Sequence, residues 1–182
     1  MGNIILPRKD SVARYFFDTE FIENGVTIDL ISIGIVTEDS ESYYAVSTEA
    51  DLTQASPWVR DHVLPSLPLY GTPHWKTRGT IRDEITGFVS ETCKERPVEF
   101  WAYYADYDWV ALCQLFGTMM ELPSGYPAFP KYCMDLKQLS ELIGGPRHPK
   151  DPAGEHNALV DAEWNLELFR FLRDEAEREE AR

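Results

Sequence analysis

Residues 14–37 read RYFFDTEFIENGVTIDLISIGIVT and contain the clearest strand signals of the chain. The first part of this stretch, residues 14–21, is rich in aromatic residues and is typical of a buried strand. The second part, residues 27–37, becomes apolar on both faces, which favours a central strand. The Asn24-Gly25 dipeptide between them is a strong signal for a hairpin turn. This stretch therefore predicts an antiparallel pair of strands at the centre of a sheet.

The rest of the chain predicts helices around that sheet. A third strand at 42–47 would complete an antiparallel three-strand meander. The other predicted elements are a short helix at 58–63, a helix from an N-cap at Thr80 through Cys93, a strand at 98–103, an amphipathic helix after Asp106, and helices at 136–143 and 158–177. This order predicts an α/β protein with a central mixed sheet flanked by helices. The 182 residues fit one domain, residues 1–182, with a core at about 14–172 and an acidic helix end at 173–182.

The charge of the chain limits the ways in which it could bind nucleic acid. The formal net charge is −14, whereas proteins that hold nucleic acid over a broad surface are usually basic. A long non-specific DNA-binding groove is therefore disfavoured. A compact site in which bound cations reverse the local charge remains compatible with this composition.

The hydropathy of the chain and the sequence of residues 1–10 predict a cytoplasmic protein. No apolar run is long enough to span a membrane, and residues 1–10 contain neither a signal-peptide core nor a cleavage site. Cys93, Cys113 and Cys133 lie far apart and form no Cys-x-x-Cys pair, which disfavours a structural zinc site. We expect them to be inert core thiols.

Two carboxylates, Asp18 and Glu20, interrupt the first apolar strand. Side chains alternate along a strand, so both acids should lie on the same face, close enough to share a cation. Like charges on a core strand repel each other and lose solvation, and they need a compensating partner. The alternative is that the strand end emerges into solvent and both acids are simply hydrated.

Two further acids, Asp106 and Asp108, lie between a predicted strand and a predicted helix. The ends of strands that lead into helices are where α/β folds place ligands. Asp106 fits the N-cap of the helix, because helical periodicity begins just after it. We therefore favour Asp108 as the functional acid.

The third acidic element is His156-Asn157-Ala158-Leu159-Val160-Asp161. On a continuous helix His156 and Asp161 would point in different directions. The spacing suits a site better if His156 lies on the preceding loop, Asn157 caps the helix and Asp161 lies one turn in. The alternative is a surface histidine beside a first-turn aspartate stabilised by the helix dipole.

Taken together and in this order, the three elements resemble the DEDDh family of 3′→5′ exonucleases. The matching segments are 17–20, 107–112 and 156–161, and the resemblance extends from residue 14 to about 172. More specifically, residues 18–23, 43–49 and 110–115 resemble the polyadenylate-preferring RNase AS group of exoribonucleases. One departure is Tyr103-Tyr104, where many DEDDh enzymes carry His-Asn, so contacts made there in other members do not carry over.

The resemblance implies an RNase H-like fold and a metal-dependent 3′→5′ exoribonuclease that releases nucleoside 5′-monophosphates from single-stranded RNA ends. It implies that Asp18, Glu20, Asp108 and Asp161 bind two Mg²⁺ or Mn²⁺ ions, with Asp18 shared between them, and that His156 accepts the proton of the attacking water. It also implies that Phe21 and Ile22 contact the terminal base, and that the protein is a homodimer.

Two other functions remain open at this stage, and both would use the same fold. One is an RNase H-like endonuclease that acts on a duplex, which the negative charge and the His156–Asp161 pattern disfavour. The other is a non-catalytic RNA-binding module. Trp75, Lys76 and Arg78 form a small basic and aromatic cluster that is a second candidate for substrate contact, unless these side chains have purely structural roles.

Overall fold

The structure is a computed structural model that describes residues 11–149 and 156–180. Its strands are β1 (Ala13–Glu23), β2 (Ile28–Thr37), β3 (Ser42–Ser47), β4 (Trp75–Lys76), β5 (Val98–Ala102) and β6 (Met134–Asp135). Its α-helices are α1 (Pro57–His62), α2 (Arg78–Thr92), α3 (Asp106–Gln114), α4 (Leu136–Leu142) and α5 (Ala158–Glu180), and short 3₁₀ turns cover Leu52–Gln54, Leu64–Ser66 and Met119–Glu121.

The strands form one mixed sheet in the order β4-β3-β2-β1-β5-β6. Strands β1, β2 and β3 pair antiparallel in sequence, which is the predicted meander. The short strands β4, β5 and β6 each add in parallel to a neighbour. At the predicted hairpin, the Asn24 side chain accepts hydrogen bonds from the Val26 and Thr27 amides, and Gly25 has a φ of 79°. The fold prediction is confirmed.

Alternation along β1 divides the core between the two faces of the sheet. Phe17 packs with α2 and α3 on one face, whereas Phe16 packs with α4 and α5 on the other. A third, smaller cluster lies beside the end of β1, where Ile22 and Ile31 pack against Val59 and Val63 of the α1 region. The central strands are therefore covered on both sides, as their apolar sequences predicted.

The start of α2 differs from the prediction. Thr77, not Thr80, is the N-cap, and its hydroxyl oxygen accepts the Thr80 amide at 3.2 Å. The helix begins earlier because β4 ends at Lys76, so the chain turns directly from the sheet edge into the helix.

Burial of the cysteines agrees with the prediction of core thiols. Cys93 and Cys113 are buried and Cys133 is half-buried, and none of them forms a disulfide. Burial raises the pKa of the Cys113 thiol to about 11. Among the helices that the structure describes, none has the length and apolar character needed to cross a membrane. The prediction that residues 1–10 contain no signal peptide concerns residues outside those that the structure describes.

Candidate active site

Three carboxylates from distant parts of the chain meet at one point. Asp18 and Glu20 come from β1, and Asp161 comes from the first turn of α5. Each offers an oxygen that lies within 4.8 Å of the other two. The common face predicted for Asp18 and Glu20 is the face that α5 covers, so alternation along one strand places both acids against the helix that carries the third.

A glycine permits this close approach of helix and sheet. Gly34 on β2 pairs with Asp18 across the hairpin. A Cβ atom at Gly34 would lie 2.3 Å from the carbonyl oxygen of Ala158 and 2.5 Å from the Cα of Leu159. Only a residue without a side chain lets the first turn of α5 lie directly on the sheet beside the acids.

An amide side chain ties the same helix to β1. Asn165 is 1% exposed, and its Nδ2 donates a hydrogen bond of 2.9 Å to the carbonyl oxygen of Phe17. Because Asn165 lies one turn after Asp161, the bond sets the position of Asp161 relative to Asp18. Sequence reasoning missed both Gly34 and Asn165. For Asn165 a signal was available, because it lies four residues after Asp161 on the same helix.

The fourth carboxylate, Asp108, lies beside the other three and is held by Thr19. One oxygen of Asp108 accepts the Thr19 amide at 2.8 Å and the Thr19 hydroxyl at 2.6 Å. Thr19 separates Asp18 from Glu20 in the sequence, and its side chain points to the opposite face of β1, where α3 begins. Sequence reasoning missed Thr19 as well.

The structure distinguishes the two candidate acids at the start of α3. Asp108 is buried and lines the cavity, whereas Asp106 is exposed. The prediction that Asp106 caps the helix is wrong. The N-cap is Ala105, which makes no side-chain cap bond. The Ala105 amide instead donates to the Asp135 carboxylate at 2.8 Å, and this long-range contact takes part of the role that a local cap would have.

Burial is the main cause of the raised pKa values of Asp18, Glu20 and Asp108, and neighbouring negative charges add to it. Burial, followed by the charges of Asp108, Glu20 and Asp161, raises the pKa of Asp18 well above its usual value. Burial and the Asp161 and Asp108 charges raise the pKa of Glu20 to about 8. For Asp108 the two Thr19 hydrogen bonds oppose burial, and its pKa is raised only to about 6.

These acids open into a cavity of about 380 Å³. None of the described residues that line it is a lysine or an arginine. Carboxylate oxygens crowded in this way suit hard divalent cations such as Mg²⁺ or Mn²⁺, which would neutralise them. The residues present therefore fit a divalent-metal site.

His156 lies on the loop before α5 and lines the same cavity, as the spacing predicted. Its backbone amide donates to the Asp161 carboxylate at 2.9 Å. The side chain of Asn157 accepts the Leu159 amide at 3.1 Å, which confirms Asn157 as the cap of the helix. The backbone of His156 has a φ of 70°, a left-handed conformation that is uncommon for residues other than glycine.

Aromatic side chains form the walls of the cavity, which are lined by Phe21, Tyr103, Tyr104, Tyr107 and Trp164. Phe21 stacks on Tyr107 with ring centroids 5.6 Å apart and planes 15° apart. Ile22, which was predicted to contact the terminal base with Phe21, is instead buried in the cluster beside α1 and is not among the lining residues.

The basic and aromatic cluster at residues 75–78 also lies outside the cavity lining. The indole of Trp75 donates to the carbonyl oxygen of Pro68 at 3.1 Å. Lys76 pairs with Glu84, and Arg78 pairs with Asp29. These side chains therefore have structural partners of their own.

Several solved structures share this fold. The nuclease domain of 3′hExo, a DEDDh family member bound to rAMP, superposes with a TM-score of 0.58 at 11% identity, covering 92% of this chain and 95% of that one. S. pombe Pop2p in its Mg²⁺- and Mn²⁺-bound form superposes with a TM-score of 0.56 at 14% identity, covering 88% and 82% of the two chains. The fold is thus that of the RNase H-like exonucleases.

Sequence comparison narrows this class to a family. Residues 13–172 match the family described as the 3′-5′ exoribonuclease Rv2179c-like domain. The 3′-5′ exoribonuclease Rv2179c of Mycobacterium tuberculosis strain H37Rv is 49% identical over 159 residues, which cover 87% of this chain and 92% of the relative. The chain belongs to the Rv2179c-like 3′-5′ exoribonuclease family, and the predictions of a DEDDh fold and of a 3′→5′ exoribonuclease are confirmed.

Proposed function

We propose that this protein removes nucleoside 5′-monophosphates from the 3′ end of single-stranded RNA, in a reaction that depends on two Mg²⁺ or Mn²⁺ ions. The observation that carries the proposal is the meeting of Asp18, Glu20 and Asp161 within 4.8 Å. Partly buried carboxylates at this separation repel each other strongly, and only bound cations would make the ionised cluster favourable.

The four acids would together form two metal-ion sites. Following the family resemblance, Asp18 would be shared by both ions, Glu20 and Asp161 would complete one site, and Asp108 would serve the other. Two such ions stabilise the charges on the attacking and leaving oxygens of an in-line displacement. Thr19 would keep Asp108 oriented through its two hydrogen bonds.

His156 would accept the proton of the attacking water. A neutral imidazole has a ring nitrogen whose lone pair can accept a proton, which suits a general base. The hydrogen bond from His156 to Asp161 is made by the backbone amide of His156 and does not use either ring nitrogen. The residue also lines the cavity. One residue would thus be tied to the acids by its backbone and act through its side chain.

The aromatic walls would hold the end of the RNA strand. Stacking of a base on an aromatic side chain contributes roughly 1–3 kcal/mol and works on single strands. The stacked pair Phe21 and Tyr107 offers such a surface next to the acids. Stacking alone does not choose a base, so the preference for adenylate that we propose rests on the resemblance to the RNase AS group.

The overall charge favours a strand end over a duplex as the substrate. With a net charge of −14, the protein would repel a long polyanion over most of its surface. A single nucleotide end entering a cation-filled cavity avoids most of this repulsion. We also propose a homodimer, on the resemblance alone, and light scattering of the purified protein would measure it.

Digestion of 5′-labelled single-stranded RNA tests the function. We expect a ladder that shortens from the 3′ end in Mg²⁺ or Mn²⁺ and stops in EDTA, with oligoadenylate degraded faster than oligouridylate. Matched DNA and duplex RNA should be poorer substrates. A substrate with a blocked 3′ end should resist digestion. Internal cuts in that substrate would indicate an endonuclease, and metal-independent binding without turnover would indicate a binding module.

A further inference from the structure

The segment formed by α1 and the 3₁₀ turn Leu64–Ser66 packs against the loop that carries His156. The Ser66 hydroxyl lies 2.6 Å from the carbonyl oxygen of His156 and 2.8 Å from that of Val63, and the shorter distance assigns its one proton to His156. In the other direction, the side-chain amide of Asn157 donates to the carbonyl oxygen of Ser66 at 3.2 Å. Two hydrogen bonds of opposite direction therefore join Ser66 to consecutive residues of this loop.

These bonds act on a residue whose backbone needs support. His156 has a φ of 70°, and a non-glycine residue keeps this left-handed conformation only where its surroundings stabilise it. Its carbonyl is bound by Ser66 and its amide by Asp161. Both peptide groups next to the strained Cα atom are thus anchored, one to the acidic cluster and the other to the α1 segment.

The imidazole ring of His156 also has a neighbour from α1. The Trp58 ring meets it edge to face, with centroids 4.7 Å apart. Trp58 in turn stacks on His62 at 4.9 Å, and a His62 ring nitrogen lies 2.9 Å from the Trp58 carbonyl oxygen. A short stack of rings on α1 therefore limits the directions in which the His156 ring can turn.

The α1 segment is itself fixed to the strand that carries the acids. Val59 and Val63 pack against Ile22, which lies on β1 two residues after Glu20. The position of His156 is therefore set, through α1, relative to the same strand as Asp18 and Glu20. This packing accounts for the burial of Ile22 in a place where the sequence suggested a substrate contact.

We propose that Trp58 and Ser66 are positioning residues that hold the His156 imidazole in the orientation needed to accept a proton. Neither belongs to the described residues that line the cavity. They act on the reaction through His156 and not through substrate or metal. This inference rests on the proposed role of His156 as the base.

Steady-state kinetics of Trp58→Ala and Ser66→Ala on 5′-labelled oligoadenylate test it. We expect kcat to fall by about tenfold or more, because small displacements of a catalytic group are costly, while KM and the calorimetric affinity for Mn²⁺ stay within about twofold. Trp58→Phe should recover most of the rate because it keeps an aromatic ring at this position. Tyr70→Ala and Ser124→Ala, at exposed positions of the same residue classes, are the matched controls.

A double-mutant comparison separates positioning from other roles. In the His156→Ala background, Trp58→Ala and Ser66→Ala should have no further effect on kcat, since the residue through which they act is gone. An equal loss in both backgrounds overturns the proposal. So does a rise in KM with unchanged kcat for Trp58→Ala, which would make Trp58 a substrate contact.

An NMR measurement tests the same contact without activity. The His156 ring signals, identified by their loss in His156→Ala, should shift in Trp58→Ala because the ring current of the indole is removed. Unchanged signals would overturn the positioning role. If the wild-type protein instead fails to degrade RNA, or if His156→Ala turns over at the wild-type rate, the proposed function fails whatever the NMR result.

Discussion

At the scale of single residues, Thr19 links the strand that carries Asp18 and Glu20 to Asp108 of α3, a contact that no local sequence pattern predicts. It stands between Asp18 and Glu20 in the chain, yet it contacts the acid that comes from α3. Its amide and hydroxyl both donate to one oxygen of Asp108, and they lower the pKa that burial raises. The residue between two metal-binding candidates thus orients a third.

The change Thr19→Val tests this connection. Valine keeps the branched shape and the backbone amide but removes the hydroxyl bond, so the pKa of Asp108 should rise and its carboxylate should become less well oriented. We expect Mn²⁺ affinity to fall by about 10–100-fold, the usual cost of losing a partner of a metal ligand. Isothermal calorimetry measures this. Thr86→Val, on the outer side of α2, should leave the affinity unchanged.

The change Asp18→Asn separates catalysis from stability. Burial, followed by the charges of three neighbouring acids, raises the pKa of Asp18. Removing its charge should abolish metal-dependent RNA digestion and raise the free energy of unfolding of the metal-free protein, because repulsion within the cluster is relieved. Denaturant unfolding in EDTA and the digestion assay measure the two effects. The exposed Asp106 is the control, and Asp106→Asn should retain activity. Wild-type rates in Asp18→Asn would refute the assignment of the cluster.

At the scale of secondary-structure elements, the site depends on how α5 lies on the central hairpin. Three features define this contact. Gly34 leaves no side chain between β2 and the first turn of α5, Asn165 bonds to the backbone of β1, and Asn157 caps the helix. Together they place Asp161 against Asp18, although the two residues are far apart in sequence.

The change Gly34→Ala should push α5 away from the sheet. The new methyl group would meet backbone atoms of Ala158, which have no freedom to rotate away. Overpacking of this kind costs about 1–3 kcal/mol, and Mn²⁺ affinity should fall because Asp161 moves relative to Asp18.

A glycine of helix α2 provides the control for this experiment. At Gly87 a Cβ atom would meet nothing within 4 Å, so Gly87→Ala should be neutral or stabilising by up to about 1 kcal/mol. Urea unfolding and calorimetry measure both variants. A Gly34→Ala protein with wild-type affinity for Mn²⁺ would show that the helix contact does not position the metal ligands.

At the scale of the whole molecule, the acidic cavity links stability to pH and to metal. The pKa of Glu20 is about 8 in the folded protein, against an ordinary value of 4.5, and that of Asp108 is about 6, against 3.8. The folded state therefore binds protons more tightly than the unfolded chain. Stability from these groups is fully present below about pH 4 and is lost as the pH rises towards 8.

We therefore expect the thermal unfolding midpoint of the metal-free protein in EDTA to decrease as the pH is raised from 5 to 8. Saturating Mg²⁺ should raise the midpoint most at pH 8, because the cations then bind the ionised carboxylates. Differential scanning fluorimetry across this range measures both effects. Glu20→Gln should show a weaker pH dependence without metal. A wild-type midpoint that rises steadily from pH 5 to pH 8 in EDTA would contradict the repulsion argued for the cluster.

Patterns that are local in the sequence were sufficient to predict most of the elements. The hairpin follows from two apolar runs around Asn24-Gly25, and the common face of Asp18 and Glu20 follows from alternation along a strand. The loop position of His156 follows from its spacing to Asp161. Two predicted helix ends were wrong: Thr77, and not Thr80, caps α2, and Asp106 does not cap α3. Both ends depend on where the chain leaves the sheet and on a distant partner.

Most of the strands and helices, and the common face of Asp18 and Glu20, follow from the sequence because they depend on the periodicity of neighbouring residues. The two-residue strands β4 and β6 were not predicted, and the set of four acids was predicted from the resemblance to the DEDDh family. The side chains that orient these acids are evident only in the folded protein. Thr19, Gly34 and Asn165 act across the sheet on residues far away in the chain, and Ile22 turns into a core cluster that also fixes α1. Such contacts depend on how separate elements pack in three dimensions, and the spacing of residues along one element does not show which distant residue a side chain will meet.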